Sequence, residues 1–124
     1  MRYMMFIKHS EDYGLFEIPS SLYEAMGTFI EQARKAGTFI DGAGLQPMSA
    51  GHQIRLSGGK ITLTDGPFTE TKEIIGGYAL IEVKSEAEAL AIAKQFVDLH
   101  RIHWPKHECE CEVRPLEAGP QEQK

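Results

Sequence analysis

Arg2-Tyr3-Met4-Met5-Phe6-Ile7-Lys8 is the stretch that decides the fold. It reads as a strand, and successive side chains of a strand point to opposite faces. Met4 and Phe6 share one face; Tyr3, Met5 and Ile7 share the other. Both faces are apolar, so both need cover. The later strand Tyr78-Ala79-Leu80-Ile81-Glu82-Val83-Lys84 repeats the feature over its first four residues.

Two helices supply cover for one face. Ser21-Leu22-Tyr23-Glu24 has the spacing of a capping box. It opens a helix at Ser20 or Ser21, with Leu22, Met26, Phe29 and Ala33 on one stripe and Gly37 as its stop. Ser85-Glu86-Ala87-Glu88 is a second box. It opens a helix with Ala89, Ile92, Ala93, Phe96 and Leu99 on one face, and Pro105 forces its end. A strand follows the first helix from about Thr38 through Phe39 and Ile40 and fades at Gly42-Ala43-Gly44-Leu45-Gln46-Pro47. Glu108 to Arg114 alternate as a half-exposed last strand, with Cys109, Cys111 and Val113 inward. The order is strand, helix, strand, hairpin, strand, helix, strand. This predicts an α+β chain: an antiparallel sheet with two helices on one face. The other face is then left for a second copy of the chain, in a symmetric homodimer with its sheets face to face.

The hairpin fixes its own register. His52–Ser57 and Lys60–Thr64 flank Gly58-Gly59, a favoured two-residue turn. Counting back from the turn pairs Ser57 with Lys60, Leu56 with Ile61, Ile54 with Leu63 and His52 with Asp65. One face is therefore apolar and ends on a His/Asp pair. The other carries Arg55/Thr62 and Gln53/Thr64 and is polar.

At 124 residues the chain fits one domain, with residues 1–116 as that domain and 117–124 as a flexible polar tail. Apolar residues make up 42% and charged residues 25%, which excludes a disordered chain and a disulfide scaffold. Apolar runs are only a few residues long, against the ~20 that a membrane span needs. A net charge of −5 with no basic stripe argues against nucleic-acid binding. The amino-terminal stretch Met1–His9 is too short for a signal peptide and lacks a small-residue cleavage site, so a cytoplasmic protein is expected, with no membrane partner. Cys109 and Cys111, two apart on a strand, are poorly placed for a disulfide and read as reduced thiols.

Asp65-Gly66-Pro67-Phe68, followed by Glu70, Lys72, Glu73 and Gly76-Gly77-Tyr78, resembles the signature of the YCII-related family in its DGPF branch. Gly44-Leu45-Gln46-Pro47 and Glu112-Val113-Arg114-Pro115 extend the resemblance from Arg2 to Pro115. The resemblance implies a dimeric α+β barrel built from ferredoxin-like βαββαβ-type protomers. It implies little about activity, since most members are uncharacterised. Related proteins include a dehydrochlorinase of a chlorinated hydroxyhydroquinone, and similar barrels host small-ring isomerases. Some DGPF proteins are encoded near sigma factors, which suggests a regulatory setting instead. A His–Asp pair in the cleft is proposed as catalytic in the wider family. Its histidine would fall near Met26-Gly27, where this chain has none.

Candidate site residues follow from both readings. Asp65 suits a general base or the partner that orients a histidine, and equally a turn aspartate capping backbone N–H groups. His52, its register partner, restores a His–Asp pair from a different strand, or is a surface histidine at the hairpin's end. Arg55, Glu70, Lys72 and Tyr78 are candidate substrate-binding residues. Each also has a structural reading: a solvated arginine, a loop of ion pairs, a core tyrosine. His100, His103, His107, Cys109 and Cys111 carry metal-ligating groups, but their spacing fits no familiar zinc template and Pro105 interrupts it, so no metal is expected. No phosphate-cradling glycine loop occurs and no cofactor is implied. The expectation is a small-molecule enzyme of lyase or isomerase type, with Asp65 and His52 moving protons. The alternative is a non-catalytic metabolite-binding or regulatory module.

Overall fold

The structure, a computed structural model, describes residues 1–10, 17–66 and 73–117. In chain order these form β1 (Arg2–Ser10), α1 (Ser20–Lys35), β2 (Phe39–Gly44), a short 3₁₀ turn (Met48–Ala50), β3 (His52–Ser57), β4 (Lys60–Asp65), β5 (Glu73–Glu82), α2 (Glu86–His103) and β6 (Cys109–Pro115). Four strands make one antiparallel sheet in the order β2-β5-β1-β6, and β3-β4 make a separate two-stranded sheet. Without the hairpin, the order of elements and strands is that of a ferredoxin-like α+β fold, as expected.

The core lies between the sheet and the helices. Tyr3, Met5 and Ile81 from the strands and Val83 just past β5 pack with Ala89 and Ala93 of α2, all buried. Phe29 of α1 meets Phe96 of α2, with ring centroids 5.7 Å apart. On the opposite face Met4 pairs with Leu80 and Phe6 with Tyr78, and these four side chains are only half-buried. The two-sided apolar pattern of β1 therefore has helices on one side and, among the described residues, nothing of its own chain sealing the other.

Three local readings change. The first capping box does not form: α1 starts at Ser20, one of the two expected positions, but its cap is Pro19, with the Leu22 N–H donating to the Pro19 carbonyl at 3.1 Å. Ser21 then sits inside the first turn, where its hydroxyl has no cap to make. The second box half forms. Ser85 Oγ accepts from the Glu88 N–H at 3.1 Å, while Glu88 Oε2 takes the Lys84 N–H rather than that of Ser85. Finally, Gly76-Gly77 do not precede a strand but lie inside β5. The register slips between Ile7 and Lys8, where Gly77 and Ile75 are the successive partners and Gly76 is the extra residue of a bulge.

The hairpin has the expected register to the last pair, His52 with Asp65. Gly58 and Gly59 both take positive φ, 58° and 76°, as a primed turn needs. Its apolar face is bare: Ile54, Leu56, Ile61 and Leu63 are 65–74% exposed. At the base of the hairpin the Gly66 N–H donates to the Gly51 carbonyl at 2.9 Å, and a Cβ there would overlap the Met48 carbonyl oxygen. Only glycine lets the chain pass that close. Pro67, Phe68 and the proposed tail beyond residue 117 lie outside the described residues.

Candidate functional site

His52 and Asp65 meet. His52 Nδ1 lies 2.8 Å from Asp65 Oδ1, so the ring donates from Nδ1 to the carboxylate. The contact follows from the two-residue turn: six residues on each strand bring the two to the same rung. The pair is open to solvent, with side chains 62% and 80% exposed, and it borders neither the helix–sheet cleft nor the cavity behind it. The expectation of a paired His–Asp is met. Within one chain no cleft encloses the pair, because the hairpin forms a sheet of its own, separate from the main one.

The cleft between the helices and the main sheet has a volume of about 600 Å³. Its walls are apolar: Met5 and Ile7 from β1, Met26 and Phe29 from α1, Ile92 and Phe96 from α2. Glycines 42, 44, 76 and 77 border it from the sheet. Gly27 borders it from α1, and a Cβ there would meet nothing within 4 Å. That open space is the reason a glycine interrupts the helix stripe without harm to packing.

One end of the cleft is polar. His9 and His100 line it, 5% and 4% exposed, with Trp104 beside them. His9 Nδ1 and His107 Nε2 share a hydrogen bond of 2.8 Å. His107 stacks flat on Trp104, with centroids 3.8 Å apart. The His100 Nδ1–H donates to the Phe96 carbonyl at 3.0 Å. Burial, reinforced by the charges of His107 and His100, lowers His9 from 6.5 to about 4. Burial also lowers His100, against the opposing pull of its bond to Phe96. Both rings are therefore neutral at neutral pH and can accept a proton or a hydrogen bond.

A second cavity of about 570 Å³ lies behind these rings and shares His9 and His100 with the first. Its other lining is charged, including Lys8, Arg101, Glu108 and Glu110. Cys109 borders it as well. Burial raises its thiol above 9, and raises Cys111 to about 11, so neither is a thiolate nucleophile at neutral pH. Both cysteines are free thiols, as expected. Among the described residues, no group of three or more His, Cys, Asp or Glu side chains is disposed to hold a metal ion.

The sequence pattern of the YCII-related domain family matches residues 1–96. The chain belongs to this family. An uncharacterised protein of Rhizobium meliloti (strain 1021) is 42% identical over 60 residues, a match that spans 48%, about half, of each chain. No helix among the described residues of this YCII-related chain is long and apolar enough to cross a membrane.

Within this YCII-related fold the proposed substrate-binding residues scatter. Tyr78 borders the cleft from β5. Arg55 is exposed on the hairpin, opposite Thr62, and borders neither cavity. Glu70 and Lys72 lie outside the described residues. Met26 and Gly27, where the resemblance would seat a histidine, do line the cleft, but the imidazoles that reach it come from β1 and α2. Sequence reading missed His9 and weighed His100 only as a metal ligand. The signals were present: His9 continues the alternation of Tyr3, Met5 and Ile7, and His100 follows Phe96 by four residues on the buried stripe of α2.

Proposed function

We propose that this YCII-related protein is a small-molecule enzyme of lyase or isomerase type, moving protons on a small cyclic or hydroxylated compound held in the helix–sheet cleft. One observation carries the reading: an apolar cleft of about 600 Å³ ends on neutral, hydrogen-bonded imidazoles. Pockets of this size that combine apolar walls with a few convergent polar groups are the usual form of small-molecule sites. Neutral imidazole is also the side chain best matched to proton transfer near neutral pH. Such chemistry needs no cofactor.

The working unit in this proposal is a cytoplasmic homodimer of the DGPF branch, closed into an α+β barrel. Its support is the uncovered apolar surface: the half-buried second face of the main sheet and four bare side chains on the hairpin. Burying each such side chain is worth ~1.5–3 kcal/mol, enough to drive association. The same docking would cover the end of the hairpin and desolvate His52 and Asp65. They then remain candidates for proton transfer, with Arg55, Glu70, Lys72 and Tyr78 as candidate substrate contacts. The exposure of His52 and Asp65 in the single chain favours a second reading, a non-catalytic metabolite-binding module.

Deuterium exchange separates the two. In heavy water, a panel of enolisable ring ketones is incubated with the protein and followed by proton NMR. The enzyme reading expects exchange above the buffer rate in at least one compound, lost in Gly27→Phe, whose ring fills the cleft. Exchange that also disappears in a folded Asp65→Asn variant would put the hairpin pair in the chemistry. No acceleration in any compound would contradict the enzyme reading and leave the binding module.

A further inference from the structure

His100 is unusual among the cleft residues because one of its nitrogens has its role fixed. A carbonyl oxygen can only accept, so the bond to Phe96 puts the hydrogen on Nδ1. In the neutral ring the lone pair is then on Nε2. Among the described residues nothing donates to that Nε2, although the residue is only 4% exposed. No buried side-chain nitrogen or oxygen among the described residues is fully occluded and unpaired, so Nε2 opens onto reachable space. His100 lines both cavities. Its two ring neighbours, Phe96 at 5.2 Å and His9 at 6.2 Å between centroids, both line the cleft.

We propose that His100 Nε2 is the acceptor that anchors a ligand in the cleft, and that the ligand is an uncharged apolar ring compound bearing a hydroxyl at one end. This rests on the cleft being the ligand site. Open to reachable space, Nε2 is met by water before a ligand binds; a ligand hydroxyl replaces that bond and a hydrocarbon forfeits it. An anion is disfavoured at this end, because the imidazoles beside it carry no charge at neutral pH and a buried carboxylate would lack a counter-ion. The cation among the cleft residues, Arg34, lies instead over the Phe39 ring, 5.2 Å from its centroid.

Toluene, cresol and benzoate test the assignment, because they share one ring and differ in the polar group. Each is titrated into the intact protein while the fluorescence of Trp104, the chain's one tryptophan, is followed at an excitation wavelength that spares the phenol. The expected result is cresol binding roughly tenfold tighter than toluene, as one buried hydrogen bond supplies, and tighter than benzoate. His100→Phe should bring cresol down to the toluene affinity and leave toluene within about twofold, as it removes only that bond. Equal binding of cresol and toluene to the wild-type protein, a cresol preference that survives in His100→Phe, or tightest binding of benzoate would overturn the proposal while leaving the cleft as a site. Binding of none of the three would remove the cleft reading and this proposal together. Nitrogen-15 NMR of the wild-type histidines probes the same bond without a variant. Saturating cresol should move the His100 Nε2 resonance, and an unmoved resonance would overturn the assignment.

Discussion

His9 Nδ1 lies 2.8 Å from His107 Nε2, and this contact ties the first strand to the turn that leads into the last. His9 also pairs across the sheet with Cys109, at the start of β6. The imidazole pair is thus a structural clasp between the first and last strands, and its His9 is part of the wall between two cavities.

The clasp makes stability depend on pH. Burial, then the charges of His107 and His100, depress His9 from 6.5 to about 4. Between those values the unfolded chain binds more protons than the folded one, so its stability contribution is full above 6.5 and is lost as pH falls toward 4. His100 shifts in the same direction. The urea midpoint of the wild-type protein should fall across that window, and His9→Gln should flatten the fall. Equal slopes in the two proteins would show that His9 does not titrate as described. The lowered carboxyl of Glu112, held by Lys8, acts below 4.5 and so outside most of the window.

Gly27 separates stability from binding. Its position in the middle of α1 costs ~1 kcal/mol against alanine, and a Cβ meets nothing within 4 Å. Gly27→Ala should therefore raise the urea midpoint by an amount equivalent to ~0.5–1 kcal/mol. Gly27→Phe should abolish cresol binding. A destabilised Gly27→Ala would mean that the cleft wall has no room there.

The two helix starts should respond unequally. Ser85→Ala removes the hydroxyl that accepts the Glu88 N–H and should cost ~1 kcal/mol. Ser21→Ala removes a side chain that makes no cap and should change stability by less than ~0.5 kcal/mol. Equal losses in thermal or urea unfolding would contradict this difference.

The bare hairpin face should decide association. Leu56 is 73% exposed in the single chain, so Leu56→Asp leaves the protomer intact and places a charge in the proposed dimer contact. Sedimentation at micromolar concentration should show a dimer for the wild-type chain and a monomer for Leu56→Asp. A monomeric wild type would remove the dimer proposal.

Much of this fold could be read from local rules. Gly58-Gly59 set the hairpin register because a two-residue turn leaves no freedom, and His52 met Asp65 for that reason alone. Alternation in β1 and the Ala/Phe stripe of α2 placed the core. The Ser21 box failed because the helix starts at Ser20 with Pro19 as its cap, which leaves Ser21 inside the first turn, a choice between neighbouring starts that a motif cannot resolve. The extent of β5 was hidden because two glycines interrupt its apolar pattern before Tyr78, while a bulge opposite Ile7 and Lys8 absorbs one of them. The cleft was the least legible feature. It is made by what α1 does not fill, and its two acceptor rings come from positions 91 residues apart in sequence, His9 and His100.

Whether the cleft between helices and sheet receives the ligand is tested most directly by intermolecular nuclear Overhauser effects between the protein and bound cresol. The cresol ring is predicted to show contacts to Met5, Ile92 and Phe96, with its hydroxyl end nearest His100. Contacts to Ile54 and Leu63 on the hairpin, or to His52, without any to the cleft residues, would contradict that placement.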